Sequence, residues 1–397
     1  MTRMGQTAKP TWSHFALLAI IYLAFVSLGL PDGVLGVAWT AMRLDLNQPL
    51  AAVGLLTLMG TLASGTSTLV SGHILKRLGT GPVVMVSGFL TGLALLGYSV
   101  APSLAWLLAL TVPLGLGAGA VDAGLNHFVA QHYSSRHMNW LHGCWGVGAT
   151  LGPLIMGGAL LVPGGWASGY QTLALLQLAL ALVLLASLSL WTRENARPQP
   201  QTHKDAQQNS IQPVSTLATW LAPLAFLLYV SAELGTGLWA ASILVTDRGL
   251  DAARAGLWVS FYYGAITAGR FGIGLVANRL GNRRLIRLGV LAAITGGLVF
   301  APPDLPEPLS LAGLVLMGLG CAPIYPSMMH ETARRFPVSI TAAVIGRQVG
   351  LSYVGGALVP AACGVLASHL GLGAVMPALL LILLGLLATT EHLNRLT

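Results

Sequence analysis

The chain alternates between long apolar runs and short polar gaps. A helix needs about 20 residues to cross the hydrocarbon core of a membrane, and about twelve runs reach that length. In the first half of the chain they lie at about 13–41, 50–72, 82–101, 104–131, 139–162 and 168–191. In the second half they lie at about 217–246, 254–277, 285–301, 309–330, 339–366 and 372–390. This pattern predicts an all-α membrane protein with twelve transmembrane helices.

One polar segment, 192–216, interrupts the apolar pattern near the middle of the chain. Its charged residues are Arg193, Glu194, Arg197, Lys204 and Asp205. Because they stand among Gln, Asn and Pro, we interpret the segment as a solvated linker. The predicted domains are therefore one six-helix bundle at 1–191 and a second at 217–397.

The two predicted bundles resemble each other in sequence. Residues 72–79 (GHILKRLG) align with residues 274–281 (GLVANRLG) at an offset of 202. A Gly-Leu-Gly stretch at 115–117 recurs at 318–320, an offset of 203. Two parallel six-helix repeats are typical of one large class of transporters, which bind substrate near the midplane between the repeats.

Composition supports a membrane protein and argues against nucleic-acid binding. Only 8% of the residues are charged and 55% are hydrophobic, whereas soluble domains are typically about 25% charged. The formal net charge is +8, but the basic residues fall in short gaps between apolar runs and form no basic patch interleaved with aromatic residues. We therefore interpret the basic residues as topology signals, with the lipid bilayer as the main solvent.

The distribution of Lys and Arg predicts the orientation. One set of gaps contains 15 of the 20 basic residues, and the opposite set contains only Arg43, Arg248 and Arg254. The positive-inside rule then places both termini and the linker in the cytoplasm. The sequence predicts a multi-pass protein of the inner (cell) membrane.

No enzyme, cofactor or metal signature accompanies this pattern. The three cysteines, Cys144, Cys321 and Cys363, lie in apolar stretches without metal-ligand spacing. Phosphate-loop, zinc-protease and nucleophile-elbow motifs are absent from the sequence. We expect no cofactor and no enzymatic activity. The residues at 1–10 form a short polar tail that does not read as a cleavable signal peptide.

Two loops carry a family resemblance. The first, at 72–79, contains Lys76 and Arg77. The second, at 269–281, begins with Gly269 and Arg270 and contains Arg279. Both loops resemble the signature of the major facilitator superfamily, and the resemblance covers the whole chain. It implies two pseudo-symmetric six-helix bundles that transport a solute by rocking. These four basic residues are gating candidates, because they can pair with helix ends or acids that separate during rocking. Anchoring of the topology is the alternative.

A narrower resemblance rests on four segments, at 122–126, 141–148, 229–239 and 322–326. Together they look like the fucose:proton symporter branch, which implies a sugar substrate. That branch carries an acid in helix 1 and an acid plus Asn in helix 4, matched here by Asp32, Asp122 and Asn126. Asp122 stands where Glu is usual, and His127 stands where Pro is usual.

Three carboxylates, Asp32, Asp122 and Glu233, lie inside apolar runs. A charge at the centre of a transmembrane helix costs about 2.5–3.5 kcal/mol on the insertion scale, so these acids should face the bundle interior or a water-filled cavity. Removal from water favours the neutral carboxyl, which makes each acid a proton-coupling candidate. Asp32 and Glu233 occupy nearly equivalent positions in the two repeats, and permanent pairing with an internal cation is the alternative.

Seven further residues are candidates for binding the substrate: Asn126, His142, Trp145, Trp239, Tyr325, Arg347 and Gln348. Asn126 shares a helix face with Asp122, where the pair can exchange hydrogen bonds with sugar hydroxyls. Trp145 and Trp239 either stack on a sugar ring or fill helix interfaces. His142 either relays a proton or packs as a neutral ring.

Arg347 is unusual because it lies within the eleventh predicted helix. Such a charge needs a partner, water or an anionic substrate, and either Glu233 or Asp32 can serve as the partner. An unpaired Arg347 in the cavity would favour a sugar acid.

The sequence therefore predicts a monomeric secondary transporter. The leading hypothesis is symport of protons with a sugar or a similar small polar solute, by alternating access. The alternatives are a drug/proton antiporter and an organic-anion transporter that uses Arg347.

Overall fold

The computed structural model describes residues 12–133, 135–195 and 215–397, and no β-strand occurs within these ranges. In the first half the helices are α1 (Trp12–Gly29), α2 (Val34–Asp45), α3 (Val53–Leu78), α4 (Thr80–Ser99), α5 (Leu104–His132), α6 (Ser135–Ala159), α7 (Gly165–Ala186) and α8 (Leu188–Asn195). In the second half they are α9 (Thr216–Thr246), α10 (Ala252–Leu280), α11 (Asn282–Phe300), α12 (Glu307–Cys321), α13 (Ile324–Arg335), α14 (Val338–Leu370) and α15 (Val375–Leu396).

Each predicted apolar run coincides with one helix or with two consecutive helices. Among the described residues, nine segments are long and apolar enough to cross a membrane. The other three predicted runs coincide with α6, α10 and α11. The all-α prediction is confirmed, and the structure is consistent with twelve spanning helices. Because 196–214 lie outside the described residues, the domain division at the linker stays a prediction.

The first spanning segment is broken between α1 and α2. Pro31 has no backbone N–H to continue the helix, and its ring crowds the preceding turn. The chain passes through a short turn in which the Asp32 N–H donates to the Gly29 carbonyl at 3.2 Å. Pro323 separates α12 from α13 in the same way. The first of these breaks places Asp32 outside regular helix, between Pro31 and Gly33.

Three helices of the first half pack on the second half: α6 packs on α10, α3 packs on α14, and α2 packs on α9 and α10. Within the first half the closest partners are α3 with α5 and α4 with α7, and within the second half α9 with α14 and α11 with α12. A continuous cluster of buried apolar residues, which includes Val37 of α2 and Leu238 of α9, runs across the boundary between the halves.

The pair α3 and α14 is in contact at one end and separate at the other. A Cβ added to Gly54 would lie 2.8 Å from the Ala361 Cα, so the two backbones touch there. Farther along, the Thr68 hydroxyl lies 3.1 Å from the Tyr353 hydroxyl. Beyond this pair Gly350 has no neighbour within 4 Å. Gly72 of α3 also has no neighbour within 4 Å, so α3 and α14 separate towards the end that carries Lys76 and Arg77, which we call the basic end.

The second seam, between α6 and α10, is built from small residues. A Cβ added to Gly146 would lie 2.4 Å from the Thr267 Oγ1 atom. The Ser260 hydroxyl donates across the seam to the Thr150 carbonyl at 2.7 Å. Small side chains of this kind let two helices approach closely within a membrane. The seam places the polar residues of α6 directly beside those of α10.

Candidate substrate cavity between the halves

Asp32 lies in an accessible crevice between the halves. Its side chain is exposed, whereas its neighbours Gly33 and Val34 are buried. The Trp145 indole nitrogen, on α6, donates to the Asp32 Oδ2 atom at 2.7 Å. The indole is neutral, and among the described residues no cation pairs with Asp32.

Glu233, the acid at the equivalent position of the second repeat, is held differently. It is 5% exposed, and its Oε1 atom accepts a hydrogen bond from the Arg270 Nη2 atom at 3.2 Å. The Arg270 side chain is only 16% exposed. A buried carboxylate and a buried guanidinium compensate each other, and removal of either one leaves an uncompensated charge in a medium of low polarity.

Trp145 connects these two acids. While its nitrogen binds Asp32, its ring face lies 5.2 Å from the Arg270 Cζ atom. We call the chain Asp32–Trp145–Arg270–Glu233 the central bridge. Its first two members belong to the first half of the chain, and its last two belong to the second half. The halves are thus joined at the crevice by polar contacts as well as by apolar packing.

Asp122 and Asn126 form a second polar group on α5. The Asn126 side-chain nitrogen donates to the Asp122 Oδ1 atom and to the Asp122 carbonyl, both at 2.9 Å. Asp32 interacts electrostatically with both Asp122 and Glu233, so the three acids lie near one another. The structure therefore brings together the three carboxylates that the sequence singled out.

Tyrosines from three helices lie near these acids. Tyr325 and Tyr353 are partly exposed, whereas Tyr263 is buried. Tyr325 of α13 and Tyr353 of α14 both interact electrostatically with Asp122. Tyr263 of α10 sets its ring edge towards Trp145, with 6.5 Å between the ring centres. Tyr325 was a sequence candidate, but Tyr353 and Tyr263 were not. No sequence signal separated them from the chain's other tyrosines, since neither belongs to a motif or a repeat pair.

His142 and Trp239 occupy two different environments. His142 is half-buried on α6, with its ring edge-on to Phe25 at 5.7 Å between centres, and it interacts electrostatically with Arg270. Trp239 is fully buried, and its indole nitrogen donates to the Pro360 carbonyl at 3.0 Å. The structure thus places Trp239 in the packed core, where it fills a helix interface instead of facing the crevice.

Arg347 and Gln348 also lie away from the crevice. Arg347 is exposed, with its Cζ atom 5.0 Å from the ring centre of Trp220, which is itself 53% exposed. Gln348 is 1% exposed, and its nitrogen donates to the Thr332 hydroxyl at 2.8 Å. Among the described residues, the pairing of Arg347 with Glu233 or Asp32, which the sequence left open, is not found. Glu233 pairs with Arg270 instead.

The four gating candidates are not equivalent. Lys76 and Arg77 are exposed and form no ion pair with any described residue. Arg270 lies inside the crevice rather than at a helix end. The side chain of Arg279 lies outside the described residues.

The second half has paired charges at its basic end. The Arg283 Nε atom lies 2.7 Å from the Glu331 Oε1 atom. Arg287 binds both carboxylate oxygens of Glu391, at 2.7 and 2.5 Å. These pairs tie α11 to α13 and α15, whereas the matching loop of the first half has none among the described residues.

Comparison with known families decides the assignment. The family model for the Major Facilitator Superfamily matches residues 21–360. The chain belongs to the major facilitator superfamily. Members of this superfamily are transporters, which agrees with the prediction that the chain is not an enzyme. The family and the apolar helices together make it a multi-pass membrane protein.

Individual relatives are distant but span most of the chain. A muconate transporter of Acinetobacter baylyi, named cis,cis-muconate transport protein, is 23% identical over 395 residues, which cover 92% of this chain and 91% of the relative. The multidrug efflux pump Tap of Mycolicibacterium fortuitum is 27% identical over 403 residues and 94% of both chains. An uncharacterized transporter of Sinorhizobium fredii is 26% identical over 327 residues, or 80% of this chain and 82% of the relative.

Solved structures confirm the fold of the superfamily. A bacterial homologue of the human lysosomal transporter Spinster, in an inward-facing and occupied conformation, superposes with a TM-score of 0.78 at 13% identity. The match covers 98% of each chain. At this identity the likeness shows the major facilitator fold alone, and the fucose:proton symporter branch stays a prediction.

Proposed function

We propose that this major facilitator protein is a proton-coupled transporter of a sugar or a similar small polar solute. One observation carries the proposal: Asp32 is accessible in the crevice and is bound by a neutral indole rather than by a cation. Such a carboxylate can take up and release a proton without breaking an ion pair. Acids within a membrane commonly mark proton and substrate pathways.

The chemistry of the crevice supports a hydroxyl-rich substrate. Asp122 and Asn126 offer oxygen acceptors together with amide N–H donors, and Tyr325 and Tyr353 offer phenolic hydroxyls. Trp145 adds an aromatic surface beside these groups. We propose that these residues bind the solute and that Asp32 and Asp122 exchange the coupled protons. Glu233 then serves as the partner of Arg270.

We further propose that the basic end faces the cytoplasm, as the positive-inside rule predicts. The crevice then opens inwards, with both termini in the cytoplasm and the protein in the inner membrane. One chain carries both halves of the crevice, so we propose that a monomer is the working unit.

Transport into proteoliposomes tests this proposal. We expect at least one member of a panel of sugars and sugar acids to accumulate only when a pH gradient, acidic outside, is imposed. Asp32→Asn should abolish that accumulation. Asp304→Asn, at an exposed loop position, is the matched control and should transport normally. Gradient-independent accumulation, or accumulation by Asp32→Asn, would argue against the proposal.

Export of organic cations is the second candidate. Asp32, Asp122 and Glu233 outnumber the one described guanidinium near them, Arg270, so this group of residues carries excess negative charge when all four are ionised. Among the relatives, the methyl viologen resistance protein SmvA of Salmonella typhimurium is 29% identical over 190 residues, 46% of this chain. Efflux of a quaternary ammonium dye from the same proteoliposomes distinguishes this candidate from sugar symport.

The organic-anion alternative has less support. Arg347 lies at an exposed surface position, and Arg270 is already paired with Glu233. An anion would have to displace Glu233 in order to reach the guanidinium.

A further inference from the structure

Trp145 contacts one charged group from each half of the molecule. Its indole N–H donates to Asp32 at 2.7 Å, and its ring face lies 5.2 Å from the Arg270 guanidinium carbon. Arg270 in turn reaches Glu233 at 3.2 Å. The Trp145 side chain therefore contacts an accessible acid on one side and a buried ion pair on the other.

The contact with Asp32 depends on the charge of that acid. A hydrogen bond from a neutral donor to a carboxylate is roughly twice as strong as a hydrogen bond between two neutral groups. Protonation of Asp32 therefore weakens the hold on the indole ring. Arg270 is attracted by the negative face of the Trp145 ring. That attraction is kept only while the ring face stays against the guanidinium.

We propose that Trp145 is a positioning residue that transmits the charge of Asp32 to the Arg270–Glu233 pair and so links protonation to the rocking of the two halves. Ionised Asp32 completes the central bridge seen in this structure and favours the open basic end. With Asp32 protonated, the bridge loosens at Trp145 and the closed form gains population. This goes beyond the proposed transport activity, since it names the coupling residue and applies in the absence of any solute.

Several titratable or charged groups face Asp32 from the surrounding helices, and the pH response belongs to all of them. Asp122 on α5, Glu233 on α9, Tyr263 on α10 and Tyr353 on α14 interact electrostatically with Asp32 itself. His142 on α6, Arg270 on α10 and Tyr325 on α13 interact with each other or with these groups. The test therefore compares variants that remove Asp32 with variants that remove only the link.

Two spin labels report the opening without a substrate. Cysteines replace the exposed residues His73 on α3 and Ala343 on α14, on either side of the opening. Cys144 is changed to Ser, whereas Cys321 and Cys363 are buried and stay. The full chain is reconstituted in lipid nanodiscs, and the distance between the labels is measured from pH 5 to pH 9.

In the wild type we expect the ratio of long to short distances to rise about tenfold with pH, the scale of one charge-assisted hydrogen bond. Asp32→Asn should hold the ratio near its acidic value at every pH. Trp145→Phe keeps an aromatic ring under Arg270 but has no N–H, and it should reduce the change to less than about twofold. Asp32→Asn combined with Trp145→Phe should reduce the pH-dependent change in the ratio no further than Asp32→Asn alone, because both changes break the same link.

Trp239→Phe is the matched control. It removes the same indole N–H from a buried tryptophan that contacts a carbonyl rather than an acid, and it should keep the pH response of the wild type. If Trp145→Phe does not fold, as judged by thermal unfolding, Trp145→Tyr replaces it, because Tyr also lacks the indole N–H.

A wild-type distance ratio that is independent of pH would overturn the proposal, and so would a normal pH response in the Trp145 variant. Either result leaves the transport proposal to be judged by uptake into proteoliposomes, so the two proposals fail independently.

Discussion

The two repeats place an acid at equivalent positions and surround it in opposite ways. Asp32 sits in a helix break, is accessible, and accepts a hydrogen bond from a neutral indole. Glu233 sits in an unbroken helix, is buried, and pairs with Arg270. Duplicated helices can thus give one acid held by a neutral donor and one paired with a buried cation. The difference arises from Pro31 on one side and from an arginine of α10 on the other.

The largest effect should come from removing the accessible acid. Asp32→Asn should abolish uptake driven by a pH gradient while changing the free energy of unfolding by less than about 1 kcal/mol, because no ion pair is lost. Uptake in proteoliposomes and chemical unfolding in detergent measure the two quantities. The comparison fails if this variant still accumulates solute against a gradient.

Breaking the buried pair should act on stability instead. Glu233→Gln leaves Arg270 buried without its carboxylate and should lower the free energy of unfolding by about 3–5 kcal/mol. A double variant, Glu233→Gln with Arg270→Gln, removes both charges and should recover most of that loss. If the single variant is as stable as the wild type, the ion pair of Glu233 with Arg270 is not required for stability.

The accessibility of Asp32 depends on which end of the molecule is closed. Gly54→Leu inserts a side chain where α3 meets Ala361, and should cost about 1–3 kcal/mol through overpacking. The spin-label distance at the basic end should shorten as the far end is forced apart. Gly72→Leu on the same helix is the control, since Gly72 has no neighbour within 4 Å. Equal effects of the two changes would contradict the assignment of the closed end.

The smallest effect should come from the second arginine. Because Arg347 stacks on Trp220 at an exposed site, Arg347→Gln should change uptake rates by less than about twofold, the scale of a weak exposed cation–π contact. Its preference between sugars and sugar acids should stay that of the wild type. A selective loss of sugar-acid uptake would instead return Arg347 to the binding site.

Properties that depend on depth along a helix were predictable from the sequence. Runs of about 20 apolar residues identify spanning helices, and the cost of burying a charge indicates that Asp32, Asp122 and Glu233 need a shared hollow. Tyr325, a binding candidate from the sequence, interacts electrostatically with Asp122 in the structure.

Properties that depend on rotation around a helix were not predictable. Successive residues of a helix point about 100° apart. Arg347 therefore faces an exposed surface, whereas its neighbour Gln348 faces the interior of the second half. Trp145 and Trp239 are similar as residues, yet one faces the crevice and the other the core. The partner of Glu233 was missed for the same reason, because Arg270 was assigned by its position along α10 and not by the face it occupies.

The seam between α6 and α10 has a consequence for how fast the halves can move. Gly146, Thr150, Ser260 and Thr267 meet there through van der Waals contacts and hydroxyl groups, and the ion pairs between described residues lie within one half or the other. Helices that meet through such contacts can slide past each other without breaking an ion pair. Turnover should therefore vary little with ionic strength, because salt screens charges and leaves such contacts unchanged.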